Sequence, residues 1–306
     1  MISIKKVTDS FYVKYAIYLL RHKIPSIIQG DEKIVRSRFK KNLGYEPNFD
    51  NPNTMPEKLN WLKLTDHRDF CTYVADKYQA KRYFADNFGA EYVVPLIRKF
   101  DSWKDITFDS LPDYPFIIKG NNGSGCWRII KNKSEIDISE LRNECRKWMY
   151  INRYYYSQEW QYKNVRPCIF IEKLLVDKEG RVPADLKFHY FNGELQFVYK
   201  VIDRQGANYR AFFSPEWTLL PFQWVAPNKY KVIDHPIEEQ KPVHFEQMAE
   251  FGKRIAKNFN YVRVDFFDMG ERFYFSEITL YHGNGFNRFY PEQYEQEYAD
   301  KLSVIE

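Results

Sequence analysis

The sequence is poor in the features that mark several large functional classes. Its 306 residues include only four cysteines, Cys71, Cys126, Cys145 and Cys168, and no two form a CxxC pair. Such wide spacing argues against a zinc ribbon or a disulfide scaffold and reads as reduced, structural thiols. The six histidines are scattered and no HExxH occurs, which argues against a zinc hydrolase. With 13 Gly and 15 Pro, the chain is neither collagen-like nor of low complexity. No apolar run approaches the ~20 residues of a membrane span. The nearest, residues 11–20, is short, contains Lys14 and lacks a small-residue cleavage site, so it is not read as a secretory signal. No period of roughly 20–50 residues repeats, which excludes a solenoid or propeller. The expectation is a soluble, cytoplasmic protein without a membrane span, peripheral association being left open.

Charge of one sign is also scarce in excess. Lys and Arg number 46 against 41 Asp and Glu, a net +5. That is too even for the basic footprint of a nucleic-acid-binding domain and leaves room for no more than a weak preference for an anionic substrate. What is abundant is aromatic: 25 Phe, 24 Tyr and 7 Trp. Aromatics stack on sugars, but more often fill cores and cover sheets, and that reading is preferred.

The pattern of elements sets the fold class. Residues 11–20 read as an apolar helix and the basic run 33–41 as a solvated helix face. Residues 48–56, rich in Asn and Pro, read as a surface loop. Residues 61–88 read as helical, stopped near Gly89. Strands follow at 93–97, 116–119 and 127–131, then a helix over 139–157. Further strands are read at 168–175, 185–191, 195–203, 262–267 and 272–280, with a helix over 243–258 before the last pair. Asn192-Gly193 is a two-residue hairpin signal. Strands in runs, with helices inserted between them, predict α+β.

Three stretches carry chemistry. Residues 119–125, Lys-Gly-Asn-Asn-Gly-Ser-Gly, join two strands. Glycines let backbone N–H groups face an anion, while Ser124 and Lys119 add a hydroxyl and a charge. The order is not that of a Walker A loop, and an ordinary hairpin loop has the same composition. In the second stretch, Arg263 and Asp265 share one strand face, and Glu277 and Thr279 share a face of the next. A three-residue turn centred on Glu271 would set Asp265 directly across from Glu277. A two-residue Met269-Gly270 turn would put them on opposite faces. Two carboxylates so close repel unless a cation lies between them, which fits Mg²⁺ bridging nucleotide phosphates. An exposed charged hairpin is the simpler alternative. The third stretch, residues 169–175, is an apolar strand that turns polar at Glu172 and Lys173. It reads as a buried strand or as the wall of a purine pocket.

Taken in chain order, residues 51–62, 75–83, 119–125, 159–164, 172–173, 185–188, 191–193, 263–265 and 275–279 resemble the ATP-grasp superfamily, and within it the TupA-like group named for teichuronopeptide biosynthesis. The likeness covers roughly residues 50–290. Each motif is moderately specific; their number and order make the match. The resemblance implies an ATP-grasp fold, with two α+β subdomains sandwiching the nucleotide behind a helical N-terminal region. The division would be 1–90, 91–175 with the Gly-rich phosphate loop, and 176–306 with the metal-binding strands. It assigns Lys81 and Lys119 to the α- and β-phosphates, and Gly123, Ser124 and Gly125 to a mobile loop over them. Glu172 and Lys173 go to the adenine, with Leu174 on the hinge, Asp185 to the ribose and Lys187 to the phosphates. Asp265 and Glu277 bind Mg²⁺, with Thr279 in the place where many relatives have Asn and Asn284 a further candidate. Arg263 orients the transferred phosphoryl group. Lys81 stands where TupA-like chains often carry Arg.

The implied reaction joins a carboxylate to an amine at the expense of ATP, through an acyl phosphate. Its substrates would be a cell-surface or capsular polysaccharide or its precursor and an amino acid, for example an amino acid joined to a uronic acid. Rival readings are a glycosyltransferase of polysaccharide biosynthesis and a kinase that releases a phosphorylated product. The glycosyltransferase lacks a DxD tripeptide: Asp265-Phe266-Phe267-Asp268 has the wrong spacing. Arg204, Arg210 and Trp217 are expected toward the acceptor.

Overall fold

The computed structural model describes residues 10–178, 180–202, 209–230 and 239–304. Arg204 and Asp203, the expected end of one strand, lie outside the described residues. The chain divides into two compact units, each containing its own sheet.

The first unit contains the residues up to Ile34, His67–Ala80 and Val94–Leu175. Its four-stranded antiparallel sheet consists of β1 (Leu96–Phe100), β2 (Phe116–Gly120), β3 (Trp127–Ile130) and β4 (Ile169–Lys173), in the order β1-β4-β2-β3. Alternation along β2 turns Phe116 and Ile118 inward, where they join Ile169, Ile171 and Ile130 beneath Leu141 and Cys145 of the helix Ile138–Tyr150. That helix begins where Asp137 accepts the amides of Ser139 and Glu140. Lys119 and Glu172 therefore project from the opposite sheet face. The first strand runs Leu96–Phe100 rather than 93–97. Pro95 has no amide to offer a ladder, and its carbonyl instead accepts the Lys173 amide at 3.0 Å.

The second unit contains Val35–Asp66, Lys81–Val93 and the residues from Val176 onward. It is built on β5 (Asp185–Phe191), β6 (Glu194–Ile202), β7 (Tyr209–Phe213), β9 (Tyr261–Asp268) and β10 (Phe273–Thr279), with β8 (Gln223–Val225) and β11 (Arg288–Tyr290) as a separate ribbon. The five-stranded order is β10-β9-β5-β6-β7, antiparallel throughout. Asn192 and Gly193 both take positive φ, 49° and 84°, as the tight β5–β6 turn requires. On one face Phe84 stacks on Phe275 at 4.3 Å, and Phe188, Phe266 and Phe273 complete a buried aromatic layer beneath the helix Phe245–Ala256. Gly252 on that helix makes the contact possible, because a Cβ there would lie 2.2 Å from the Tyr190 hydroxyl. Part of the abundance of aromatics goes into this core, and a second cluster of Phe197, Trp224, Phe289 and Tyr298 packs on the other face.

Further local expectations change, and the helix expected over 139–157 is instead two, Ile138–Tyr150 and Tyr154–Ser157. Residues 61–88 are not one helix but the end of Met55–Thr65 followed by Asp69–Ala75 and Lys77–Phe88. Asp76 makes the last break, since its carboxylate accepts the amides of Tyr78 and Gln79 and so starts a new helix. Residues 48–56 are more than a surface loop. Thr54 and Glu57 form a capping box that starts the helix at Met55, and Phe49 and Pro52 are buried. The four cysteines are free, and burial pushes the Cys145 and Cys168 thiols up to about 12. Among the described residues no helix is long and apolar enough to cross a membrane.

Candidate functional site

In the first unit the Gly-rich stretch has a rigid half and an open half. Asn121 is fully buried and bonded on every side. Its amide NH2 donates to Asp76 at 2.8 Å and to the Arg166 carbonyl at 3.0 Å, and its side-chain oxygen accepts the Cys168 amide at 2.8 Å. Its carbonyl accepts the Lys77 amide at 3.0 Å. Past this anchor Gly123 is still buried, but Ser124 and Gly125 are exposed, and Gly125 takes φ 78°, where a side chain would be strained. The loop is thus anchored at a buried amide and presents its tip to solvent. Neither Asn121 nor Asp76 was singled out in the sequence; an Asn beside a Gly-rich turn, with an Asp just before a helical stretch, was the available signal.

At the base of the loop Lys119 Nζ lies 2.5 Å from Glu172 Oε2. Register explains the approach: β2 and β4 pair Ile117 with Glu172 and Lys119 with Phe170, so the two side chains are diagonal neighbours on one face. Glu172 is almost wholly buried and Lys119 partly so. Lys173 is exposed and Leu174 half-buried just past the strand end. The expected phosphate lysine and the expected adenine glutamate are therefore one ion pair.

In the second unit the sheet face opposite the aromatic layer holds a charged cluster. Asp265 is fully buried and receives Arg263 Nε and Nη2, each at 2.7 Å, and Lys187 Nζ at 2.5 Å. Arg263 Nη2 also donates to Glu277 at 3.0 Å, and Lys187 lies 3.4 Å from Asp185. Alternation puts Arg263 and Asp265 on one face of β9, and the β5–β9 register places Lys187 beside Asp265 and His189 beside Arg263. Burial works against a charged amine at Lys187, but the carboxylates of Asp265 and Asp185 outweigh it and hold the lysine above its ordinary value. Arg263 is held up in the same way against burial, chiefly by Asp265.

Glu277 does face Asp265, but by a different route from the expected turn. Nearest the turn Phe273 pairs with Asp268, Tyr274 with Phe267 and Phe275 with Phe266, which leaves a four-residue loop rather than three residues centred on Glu271. A bulge at Ser276 then shifts the register by one, and Glu277 pairs with Asp265. Burial along β10 shows the change of phase: Phe273 and Phe275 face the core before the bulge, and Ile278 faces it after. Without the extra residue Glu277 would point into the aromatic layer. Lys81, itself buried, directs Nζ to the Ser276 carbonyl at 3.4 Å, at the bulge. Thr279 is half-buried across from Arg263.

Two histidines behind the cluster were not read from the sequence. His282 Nδ1 accepts from Arg263 Nη1 at 3.1 Å, and His189 Nδ1 lies 3.1 Å from the Tyr261 hydroxyl. Burial first, then neighbouring positive charge, holds both well below the ordinary histidine value, so both are neutral. An imidazole accepting at Nδ1 is protonated at Nε2, which makes His282 an acceptor that fixes the third edge of Arg263. The alternation of Lys187 and His189 on β5 was the missed signal.

Other expected positions take different surroundings. Asn284 accepts Lys63 Nζ at its side-chain oxygen, 2.9 Å, and at its carbonyl, 2.7 Å. Trp217 stacks on Phe213 at 4.3 Å and donates to the Glu239 carbonyl, while the Arg210 guanidinium lies 5.9 Å from the Tyr199 ring.

Oxygen donors on rigid strands fit a hard cation such as Mg²⁺ chemically. Asp265, Glu277 and Thr279 are such donors, although Arg263 and Lys187 now hold both Asp265 oxygens, so a cation competes with Arg263 for them. Among the described residues no group of three or more His, Cys, Asp or Glu side chains is arranged to hold a metal.

The family model described as TupA-like ATPgrasp matches residues 57–303. No curated protein matches the sequence. Among solved structures the chain resembles D-alanine–D-alanine ligase from Bacillus anthracis complexed with ATP, at 17% identity, with 68% of this chain and 54% of that one covered and a TM-score of 0.37. It also resembles D-alanine–D-alanine ligase from Helicobacter pylori, at 16% identity over 75% and 61% of the two chains, TM-score 0.42. The ATP-grasp ligase PsnB complexed with minimal precursor matches at 11% identity over 73% and 59%, TM-score 0.39. The chain thus spans little more than half the length of these proteins.

Proposed function

The chain belongs to the TupA-like ATP-grasp family, and from that premise we propose that it is an ATP-dependent carboxylate–amine ligase. A carboxylate oxygen takes the γ-phosphoryl group of ATP, giving an acyl phosphate and ADP. The amine nitrogen then attacks the acyl carbon, phosphate leaves, and the nitrogen loses a proton as the amide forms.

The observation that most supports this reading is the partly buried ladder of Lys187, Arg263, Asp265 and Glu277, with its acids and cations already interlocked across three strands. A fixed set of charges costs little reorganisation when charge develops on a phosphoryl group in flight. In this assignment Asp265 and Glu277, with Thr279, would hold Mg²⁺ in competition with Arg263, and the ion would neutralise phosphate charge. Arg263 and Lys187 face the transferred group. In the first unit Lys119 and the Gly123–Ser124–Gly125 tip serve the phosphates. Glu172, Lys173 and Leu174 serve the adenine, and Asp185 the ribose. Lys81, bonded at the bulge, supports the Glu277 strand as well as the α- and β-phosphates it was assigned. The substrate pair in this reading is an acid or amine on a cell-surface polysaccharide or its precursor, for example a uronic acid, and an amino acid.

Measuring ADP release with candidate acids, with and without an amine, tests the reading. Release that needs both acid and amine, with amide product, supports the ligase. Release with acid alone and a stable phosphorylated product makes the chain a kinase. Release of a nucleoside diphosphate from a sugar donor makes it a glycosyltransferase.

A further inference from the structure

The first helical run of the described chain has two apolar sides, and the fold uses one. It consists of Phe11–Tyr18, a π-helical turn at Leu19–Lys23 and Ile24–Gln29. Its inner side is fastened within the first unit. Phe11 stacks on Tyr15 and meets Tyr150 edge-on at 5.5 Å, Tyr18 stacks on Tyr156 at 5.6 Å, and Gln158 donates to the buried Ser26 hydroxyl at 3.2 Å. Outside lie Ile17, Leu20, Ile24, Ile27 and Ile28, at the spacing of a single helix face, with exposures of 42%, 68%, 44%, 66% and 76%. Five large aliphatic side chains in a row on water is far from the scattered exposure of an ordinary surface.

The charge within this run is of one sign, with the acids Asp31 and Glu32 just past its end. Between Asp9 and Asp31 the sequence has Lys14, Arg21 and Lys23 and no acid. A second copy of the run would bring like charges together, which disfavours self-pairing. The stripe is aliphatic throughout, and the one serine of the run is turned inward, so little on it would fix the register of a protein partner. Apolar burial without direction, combined with attraction to negative charge, is what a bilayer surface with anionic headgroups supplies.

We propose that the Phe11–Gln29 run is an interfacial helix that lies on anionic lipid. Its five aliphatic side chains sink to the boundary between headgroups and acyl chains, and Arg21 and Lys23 lie at the level of the headgroups. The helix lies in the plane of the surface and does not cross it. This property does not depend on the reaction the chain performs.

The test is co-sedimentation of the full chain with vesicles of mixed phosphatidylglycerol and phosphatidylcholine, against vesicles of phosphatidylcholine alone. The full chain should partition onto the anionic vesicles and release as salt shortens the Debye length from ~10 Å at ~0.1 M to ~3 Å at ~1 M. The double variant Leu20→Gln/Ile28→Gln should bind about tenfold or more weakly, with an unchanged thermal unfolding midpoint because both side chains are exposed. Should that midpoint fall, the variant Arg21→Glu/Lys23→Glu takes over, with loss of the preference for phosphatidylglycerol as the expected result. Absence of binding to anionic vesicles, or equal binding by wild type and the variant under test, overturns the proposal. A dimer in size-exclusion chromatography that Leu20→Gln/Ile28→Gln abolishes would overturn it too, by giving the stripe to a second copy.

Discussion

Asp265 and Glu277 have the same assigned role but different surroundings, so replacing each by its amide should separate chemistry from folding. Asp265 has no exposed surface and accepts three charged donors, two from Arg263 at 2.7 Å and one from Lys187 at 2.5 Å. In Asp265→Asn one oxygen becomes an NH2 facing a cation, and two buried positive charges lose their neutralising partner. Breaking a buried pair from one side costs about 3–5 kcal/mol. Glu277 is 27% exposed and accepts Arg263 Nη2 at 3.0 Å. Glu277→Gln keeps an oxygen for that donor and weakens the bond by its charge assistance, about 1 kcal/mol or less once solvent screening is counted. Both variants should lose Mg²⁺-dependent ADP release, while only Asp265→Asn should shift the urea unfolding transition strongly. Unchanged turnover in Glu277→Gln would exclude it as an essential ligand. An equal loss of stability in both variants would refute the reasoning from burial.

Three further outcomes can be checked. Lys119→Met should weaken ATP binding by roughly ten- to hundredfold, since a charge-assisted phosphate contact is lost; equal affinity in equilibrium binding removes Lys119 from the phosphates. Asn121→Ala should cost about 1–3 kcal/mol, because it strips buried partners from Asp76 and the Cys168 amide; denaturant unfolding reads this, and an unchanged midpoint means the loop has another anchor. His189 and His282 have folded-state values below 6.5, so as pH falls the unfolded chain takes up protons first. Their contribution to stability is complete above about pH 6.5 and declines below it, by up to about 1.4 kcal/mol per pH unit for each histidine. His282→Gln should remove one histidine's share of that slope, and a slope unchanged from wild type assigns the acid sensitivity elsewhere.

Local periodicity and turn chemistry made much of the second sheet legible. The strand at Asp185–Phe191 and the Asn192-Gly193 turn follow from alternation and from the positive φ that only such residues accept readily. The shared face of Arg263 and Asp265 follows from the two-residue period alone. At Pro95 and Asp76 local rules set the element ends: a proline cannot donate to a ladder, and an aspartate can start a helix by capping it.

The order of residues along the chain therefore determined which side chains could share a face, where the hairpin turned and which family the chain belongs to. Tertiary pairing alone decided that Ser276 bulges, that Glu277 meets Asp265 instead of the phenylalanine layer, and that Lys119 finds Glu172. It also decided that His282 holds Arg263 and that Asn121 holds the loop. The reason is range. Period and turn preference belong to a few consecutive residues, whereas a bulge or an ion pair depends on the register of a strand many residues away, and one extra residue there exchanges the two faces.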